Sequence, residues 1–318
     1  MKKTVLITGG AGFIGSHLCF KLTRSGYRVV CVDNLITGSR RNINALLNDK
    51  NFVFIRQDVS RLINFKSKVD YVFHCASLAS PEYYLRYPVE TLKVGSFGTC
   101  NALDLARKNR AVFMLFSTSE IYGDPLVHPQ KENYWGNVNT IGVRGCYDES
   151  KRFAEALTMA YHRIYKLNTR IVRIFNTYGP GMRADDGRVV PNFIDQALNS
   201  KPLTVYGKGE QTRSFCFVDD LVEGLCRLML KPVHEPVNLG NPNEFTIMQL
   251  ANAVLELTSS QSKIIFKPLP QDDPRQRQPD IHKAKVLLGW EPKISLQEGL
   301  ARTIPFFLKS KFKKKALS

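Results

Sequence analysis

A run of five residues, Thr4-Val-Leu-Ile-Thr8, passes directly into Gly9-Gly-Ala-Gly12-Phe-Ile-Gly15, and Phe13–Leu22 follows with apolar residues at helical spacing. Strand, glycine-rich turn and helix in immediate succession leave few folds open. Glycines let the backbone turn tightly and approach an anion, while the free amides and positive dipole end of the helix favour a phosphate. The spacing is G-x-x-G-x-x-G and not G-x-G-x-x-G, so the strand before it and the helix after it carry the inference. Gly9, Gly12, Phe13, Ile14 and Gly15 are therefore expected to hold the pyrophosphate of a dinucleotide.

The strands that follow extend this reading. Arg28–Asp33 ends in an acid eighteen residues after Gly15. An acid there hydrogen-bonds ribose hydroxyls and repels a 2′-phosphate, which favours NAD over NADP. Asn34 and the Thr37-Gly38 turn come next and are expected to line the same pocket. Phe52–Arg56 leads to Asp58, placed to meet the adenine, and Val59. Asp70–His74 leads to Cys75-Ala76-Ser77, small residues suited to close passage of the cofactor. One long helix is expected over 89–109. Ala111–Phe116 is an unbroken apolar run, typical of a strand buried on both faces, and it ends at Ser117-Thr118-Ser119-Glu120. Arg170–Phe175 is a further buried strand.

The expected fold is α/β, a Rossmann-type doubly wound parallel sheet with a smaller C-terminal α/β subdomain. The division falls at 1–178 and 179–318, with chain crossings between the two and a basic tail at 309–318. Ligands in such sheets sit beyond the carboxyl ends of the strands. Helices are expected over 219–230, 246–257 and 296–307, and a strand over 263–266.

With 43% hydrophobic and 23% charged residues among 318, the chain has the composition of a folded protein. The net charge of +17 is unusual. A basic surface suits nucleic acid, an acidic membrane or a phosphorylated small molecule. No nucleic-acid motif is present, and part of the excess lies in the Lys309–Lys315 tail. Seven unpatterned cysteines argue for reduced thiols and against a disulfide framework or a metal site. The first strand starts too early for a signal peptide, and no apolar run is long enough to span a bilayer. The expectation is a cytoplasmic protein that binds neither nucleic acid nor membrane.

Tyr147 and Lys151 stand four apart at the start of a helical run, on one face. A phenol of pKa about 10 is a poor base at neutral pH, and a neighbouring cation favours the phenolate. Gly9-x-x-Gly12-x-x-Gly15, the hydroxyl of Thr118 after the fifth strand, and Tyr147-x-x-x-Lys151 together resemble the extended short-chain dehydrogenase/reductase family over essentially the whole chain. These are the nucleotide-sugar epimerases and dehydratases. More narrowly, Thr118–Pro125, Arg144–Arg152 and Gln276–Ile281 are similar to the UDP-glucuronate decarboxylases.

That resemblance implies NAD-dependent oxidation of the sugar at C4, followed by loss of carbon dioxide from the carboxylate β to the new ketone, and reduction back. Tyr147 would take the C4 hydroxyl proton, Lys151 would lower the phenol pKa and hold the nicotinamide ribose, and Thr118 would bond the C4 oxygen. Glu120 would act on the carboxylate or on a proton at C5, and Arg277 would orient the carboxylate or stabilise the enolate. Ser119 stands where 4,6-dehydratases usually carry Asp. Asn176, Arg188, Asn192, Tyr206, Gln211 and Arg213, with Ser119, would bind the UDP-sugar, Arg213 offering a planar fork to phosphate oxygens. A homodimer would form through the 89–109 and 147–165 helices, with Leu103, Ala106, Phe153, Leu157 and Ala160 serving that interface or an ordinary core. A 4-epimerase, a 4,6-dehydratase and a catalytically silent binding protein stand as alternatives. One departure is Gly95 in Lys93-Val-Gly95, where relatives usually read Lys-Thr-Asn, expected to loosen the helix or its support of the cofactor.

Overall fold

The computed structural model describes residues 2–63, 65–269 and 276–315, with side chains to 309. Arg275, a neighbour of Arg277 in the sequence, lies outside the described residues.

Seven strands form the central sheet: β1 (Thr4–Thr8), β2 (Arg28–Asp33), β3 (Phe52–Arg56), β4 (Tyr71–His74), β5 (Val112–Thr118), β6 (Thr169–Ile174) and β7 (Pro236–Leu239). Their order is β7-β6-β5-β4-β1-β2-β3, and every neighbouring pair is parallel. Each face is packed. Val5, Ile7, Phe73 and Met114 belong to one apolar cluster, and Leu6, Val72, Phe113 and Leu115 to the other. Successive side chains of a strand point to opposite faces, so a sheet covered on both sides reads as unbroken apolar sequence. The order reverses beside β1, between β2 and β4, and this opens a crevice at the carboxyl ends.

After β6 the chain leaves this sheet and returns to it as β7. Between and beyond these strands the described residues form the Val189–Leu198 helix and three small sheets, one of them the Thr177–Tyr178 and Cys216–Phe217 pair. Leu203–Tyr206 pairs with Ile264–Lys267, and Thr212–Ser214 lies between Glu244–Thr246 and Gln276–Arg277. The last pairing sets Arg277 directly beside Arg213. Helices occupy Val218–Leu230, Ile247–Thr258 and Leu296–Lys315, the last running on into the basic segment expected to be a tail. Thr246 caps the second of these with a reciprocal bond to Gln249, satisfying two terminal amides. Among the described residues, no helix is long and apolar enough to cross a membrane.

The helix expected over 89–109 is broken. Pro88–Lys93 and Thr99–Asn109 are α-helical, and a π-helical turn, Val94–Gly98, joins them. The π-helical turn packs closely on the Gly145–Tyr165 helix. A Cβ on Gly95 would lie 2.5 Å from the Ser150 Cβ, so the backbone approaches where any side chain would clash. Gly95 thus permits tight packing against the helix that carries Tyr147. Gly95→Ala is expected to destabilise the fold by about 1–3 kcal/mol through overpacking, and Ser150→Gly in the same chain to recover most of the loss, both read from thermal midpoints. Leu103 and Ala106 are buried in the core beneath β4 and β5, whereas Phe153 is 47% exposed.

Candidate active site

A cleft of about 1340 Å³ crosses the carboxyl ends of the strands, and its walls include every site residue predicted from the sequence except Gly38. At its floor, Gly9 has φ +69°, and a Cβ there would come within 2.7 Å of the Ala76 amide nitrogen. A Cβ on Gly15 would lie 2.2 Å from the Gly9 carbonyl oxygen. Side chains are excluded from both positions. The Phe13–Arg24 helix starts at Gly12 with no side-chain cap, which leaves first-turn amides for an anion. This cradle and the acid beyond it fit a dinucleotide.

That acid, Asp33, accepts from the Ala11 amide at 3.0 Å and the Leu35 amide at 2.8 Å. Burial raises its pKa and the amide bonds oppose the rise. Gly38 was expected to line the pocket; instead it packs behind the acid, where a Cβ would lie 2.8 Å from Asp33 Oδ1. Asn34, Thr37, Asp58, Val59, Ala76 and Ser77 line the cleft. Asp58 is tied into its own turn by the amide and hydroxyl of Ser60, at 2.9 and 2.8 Å.

Thr118 is the last residue of β5, and its hydroxyl accepts from the Glu120 amide at 3.2 Å. Tyr147 is buried and stacked on Tyr84, with ring centres 5.2 Å apart and planes 10° from parallel. Burial pushes its phenol pKa well up, while a hydrogen bond with Thr118 and the charge of Arg188 pull it down. Lys151, one turn along, donates to the Phe116 carbonyl at 2.8 Å, and its Nζ lies 5.9 Å from the Tyr147 ring centre. Burial brings the Lys151 pKa down to about 8. Besides Lys151, expected from the sequence to favour the phenolate, Arg188 is a second cation whose charge bears on the phenol.

Glu120 is held between two guanidinium groups. Arg277 Nη1 lies 2.8 Å from its Oε1, and Arg144 closes on its Oε2. Burial alone would raise its pKa, but Arg277, Arg144 and Arg213 hold it down to about 2. Glu120 is therefore ionised at neutral pH and accepts without donating. Arg277 is 2% exposed, donates also to Ser119 Oγ at 3.1 Å and the Gly123 carbonyl at 2.8 Å, and keeps an Nε without a partner among the described residues.

Asn176, Asn192, Tyr206, Gln211 and Arg213 also line the cleft, Arg213 near enough to Glu120 for its charge to bear on the carboxylate, and Arg188 near enough to Tyr147 for its charge to bear on the phenol. Gln211 donates to the Tyr206 carbonyl at 2.8 Å and Arg213 to the Thr212 carbonyl at 2.8 Å. Tyr206, 42% exposed, forms the rim. Among the described residues, no group of three or more His, Cys, Asp or Glu is placed to hold a metal ion.

Four residues of this site were not singled out from the sequence: Tyr84, Arg144, Asp148 and Asp186. Arg144 had one signal, its place three residues before Tyr147. Tyr84 had none, because its stack depends on how the Pro81–Arg86 helix docks. Asp148 is buried with an unpartnered Oδ1, and burial, followed by the nearby Glu120 charge, pushes it up to about 7. Asp186 forms a fork-to-fork pair with Arg188, Nη2 to Oδ2 at 2.8 Å.

Comparison with known proteins agrees with this geometry. UDP-glucuronic acid decarboxylase 4 of Arabidopsis thaliana is 56% identical over 303 residues, spanning 95% of this chain and 68% of that protein. An epimerase of Methanothermobacter thermautotrophicus superposes with a TM-score of 0.91 at 30% identity, covering 99% of this chain and 95% of the other. The UDP-glucuronic acid 4-epimerase of Bacillus cereus, solved with UDP-glucuronic acid and NAD, superposes with a TM-score of 0.86 at 27% identity, covering 96% and 99%. The model of the NAD dependent epimerase/dehydratase family matches residues 5–240, and the chain belongs to that family.

Proposed function

We propose that this chain decarboxylates UDP-glucuronate to UDP-xylose through a transient 4-ketone, recycling its NAD within each turnover. The observation that carries the reading is the Arg144–Glu120–Arg277 cluster, set beside Tyr147 and Thr118 at the carboxyl end of β5. Bound NAD supplies the acceptor that takes C4 to the ketone and gives the hydride back. Tyr147, as the phenolate that the Thr118 hydroxyl and the Arg188 charge favour, takes the C4 hydroxyl proton while Thr118 bonds the C4 oxygen; after carbon dioxide leaves, C5 takes a proton from water before the ketone is reduced. With Glu120 ionised, Arg144 and Arg277 leave the cluster net positive. That charge binds the substrate carboxylate and offsets the negative charge that spreads into the enolate when the C5–C6 bond breaks. Lys151 holds the nicotinamide ribose.

A dehydratase needs an acid to protonate a departing hydroxyl. Ser119 supplies none and is itself hydrogen-bonded to Arg277, and Glu120 is ionised. A 4-epimerase is the second reading, since the Bacillus cereus enzyme bound UDP-glucuronic acid on the same fold. Product analysis after incubation with UDP-glucuronate and NAD separates the two: carbon dioxide and UDP-xylose support decarboxylation, and UDP-galacturonate without carbon dioxide overturns it.

We take residues 1–178 as the main NAD-binding unit and 179–318 as the nucleotide-sugar unit, with β7 crossing back. We also propose a cytoplasmic location, and a homodimer through the 89–109 and 147–165 helices, the interface alone supported by Val89, Leu92, Phe97 and Phe153, apolar yet exposed on these segments. Sedimentation velocity tests it. Because kcat/KM reports groups of the free enzyme, and Lys151 carries its proton below about pH 8, kcat/KM is expected to fall on an alkaline limb near that value. Lys151→Arg, which keeps its charge at all accessible pH, is expected to remove the limb.

A further inference from the structure

The geometry points to Asp186 as a built-in competitor for the anionic substrate, filling the guanidinium fork of Arg188 in the free protein and yielding it when the nucleotide sugar binds. The inference rests on the reading of the cleft as a nucleotide-sugar site. Arg188 lines the cleft, and it lies close enough to Tyr147 and Tyr84 for its charge to bear on both phenols. Its position is therefore at the sugar end of the ligand. Two of its five N–H donors, one on Nε and one on Nη2, are taken by the two oxygens of Asp186.

A planar carboxylate bound bidentately has the shape and charge of the oxyanions the substrate carries. Gly187, at φ +83°, turns the backbone between the two partners. Gly179 and Gly181, at φ +157° and +94°, bend the segment that leads to them. The neighbouring Arg183–Asp185 pair offers a contrast. Its side chains are 38% and 66% exposed, against 32% and 10% for Arg188 and Asp186. The exposed pair is screened by water, whereas the Asp186 carboxylate is enclosed where a ligand would desolvate it further. An anion entering the cleft meets Arg188 already paired on its Nε–Nη2 edge, so Asp186 competes with it for that edge of the guanidinium.

Asp186→Asn tests this, since it keeps the shape and removes the charge. The apparent KM for UDP-glucuronate is expected to fall about two- to fivefold, the scale of one partly exposed ion pair. Asp186→Glu, which restores the carboxylate, is expected to return KM towards the wild-type value. Calorimetric titration with UDP, UDP-glucose and UDP-glucuronate identifies the anion exchanged. Equal tightening for all three assigns it to the diphosphate, and tightening for UDP-glucuronate alone assigns it to the sugar carboxylate. A KM and dissociation constants that stay the same or rise in a folded Asp186→Asn protein overturn the proposal and make Asp186 a support for Arg188. If wild-type protein leaves UDP-glucuronate unchanged while Asp186→Asn still binds UDP more tightly, the decarboxylase reading fails and the exchange stands.

Discussion

Replacing Tyr147 with Phe is expected to lower turnover of UDP-glucuronate by about 10²–10⁴-fold, the range for loss of a positioned acid–base group, and to leave no NADH absorbance in a single turnover. The expectation follows from position. The phenol shares a hydrogen bond with Thr118 at the end of β5, and burial keeps it protonated until something draws the proton away. Removing one oxygen leaves the stack on Tyr84 in place, so the variant should fold with a thermal midpoint near that of the wild type. A Tyr147→Phe protein that still formed NADH would transfer the proton step to another group. Asp148 is the first to examine, because it is buried beside Glu120 and titrates near neutrality.

The second large effect lies at Arg277, where the chemistry after oxidation is decided. Arg277→Lys is expected to form the 4-ketone, seen as NADH that accumulates and decays slowly, while carbon dioxide release falls by about 10²–10³-fold. Lysine keeps the charge but not the fork that reaches Glu120, Ser119 and the Gly123 carbonyl together. Arg277→Ala is the harsher change. It leaves a buried carboxylate short of one partner and is expected to cost about 3–5 kcal/mol of stability as well, which circular dichroism during heating would report. Equal loss of NADH formation in the Tyr147 and Arg277 variants would refute the division between an oxidation group and a decarboxylation group.

The central sheet and the dinucleotide cradle could be read in the sequence because both are local. A strand buried on two faces leaves an unbroken apolar run. A backbone on which an added Cβ would lie 2.7 Å from the Ala76 amide nitrogen, as at Gly9, requires glycine in whatever sequence carries it. The sequence is less informative at Gly38, which lies outside the cleft lining, and at 94–98, where a continuous helical pattern concealed a π-helical turn that a helix about fifty residues later approaches closely at Ser150.

The chain's own order of residues determined the parallel sheet, the glycine turn, the acid after the second strand, and the pairing of Tyr147 with Lys151 on one helix face. Tertiary structure alone decided which charges meet. Arg277 reaches Glu120 because the Gln276–Arg277 strand pairs with Thr212–Arg213, and Arg144 closes on the same carboxylate from the other side. Arg188 brings a second cationic charge to the phenol, and Asp186 pairs with Arg188 through Nε and Nη2. Local structure follows from backbone sterics and the apolar pattern over a few residues. The pKa values of this site depend on distances between groups far apart in the chain, which only the folded sheet brings together.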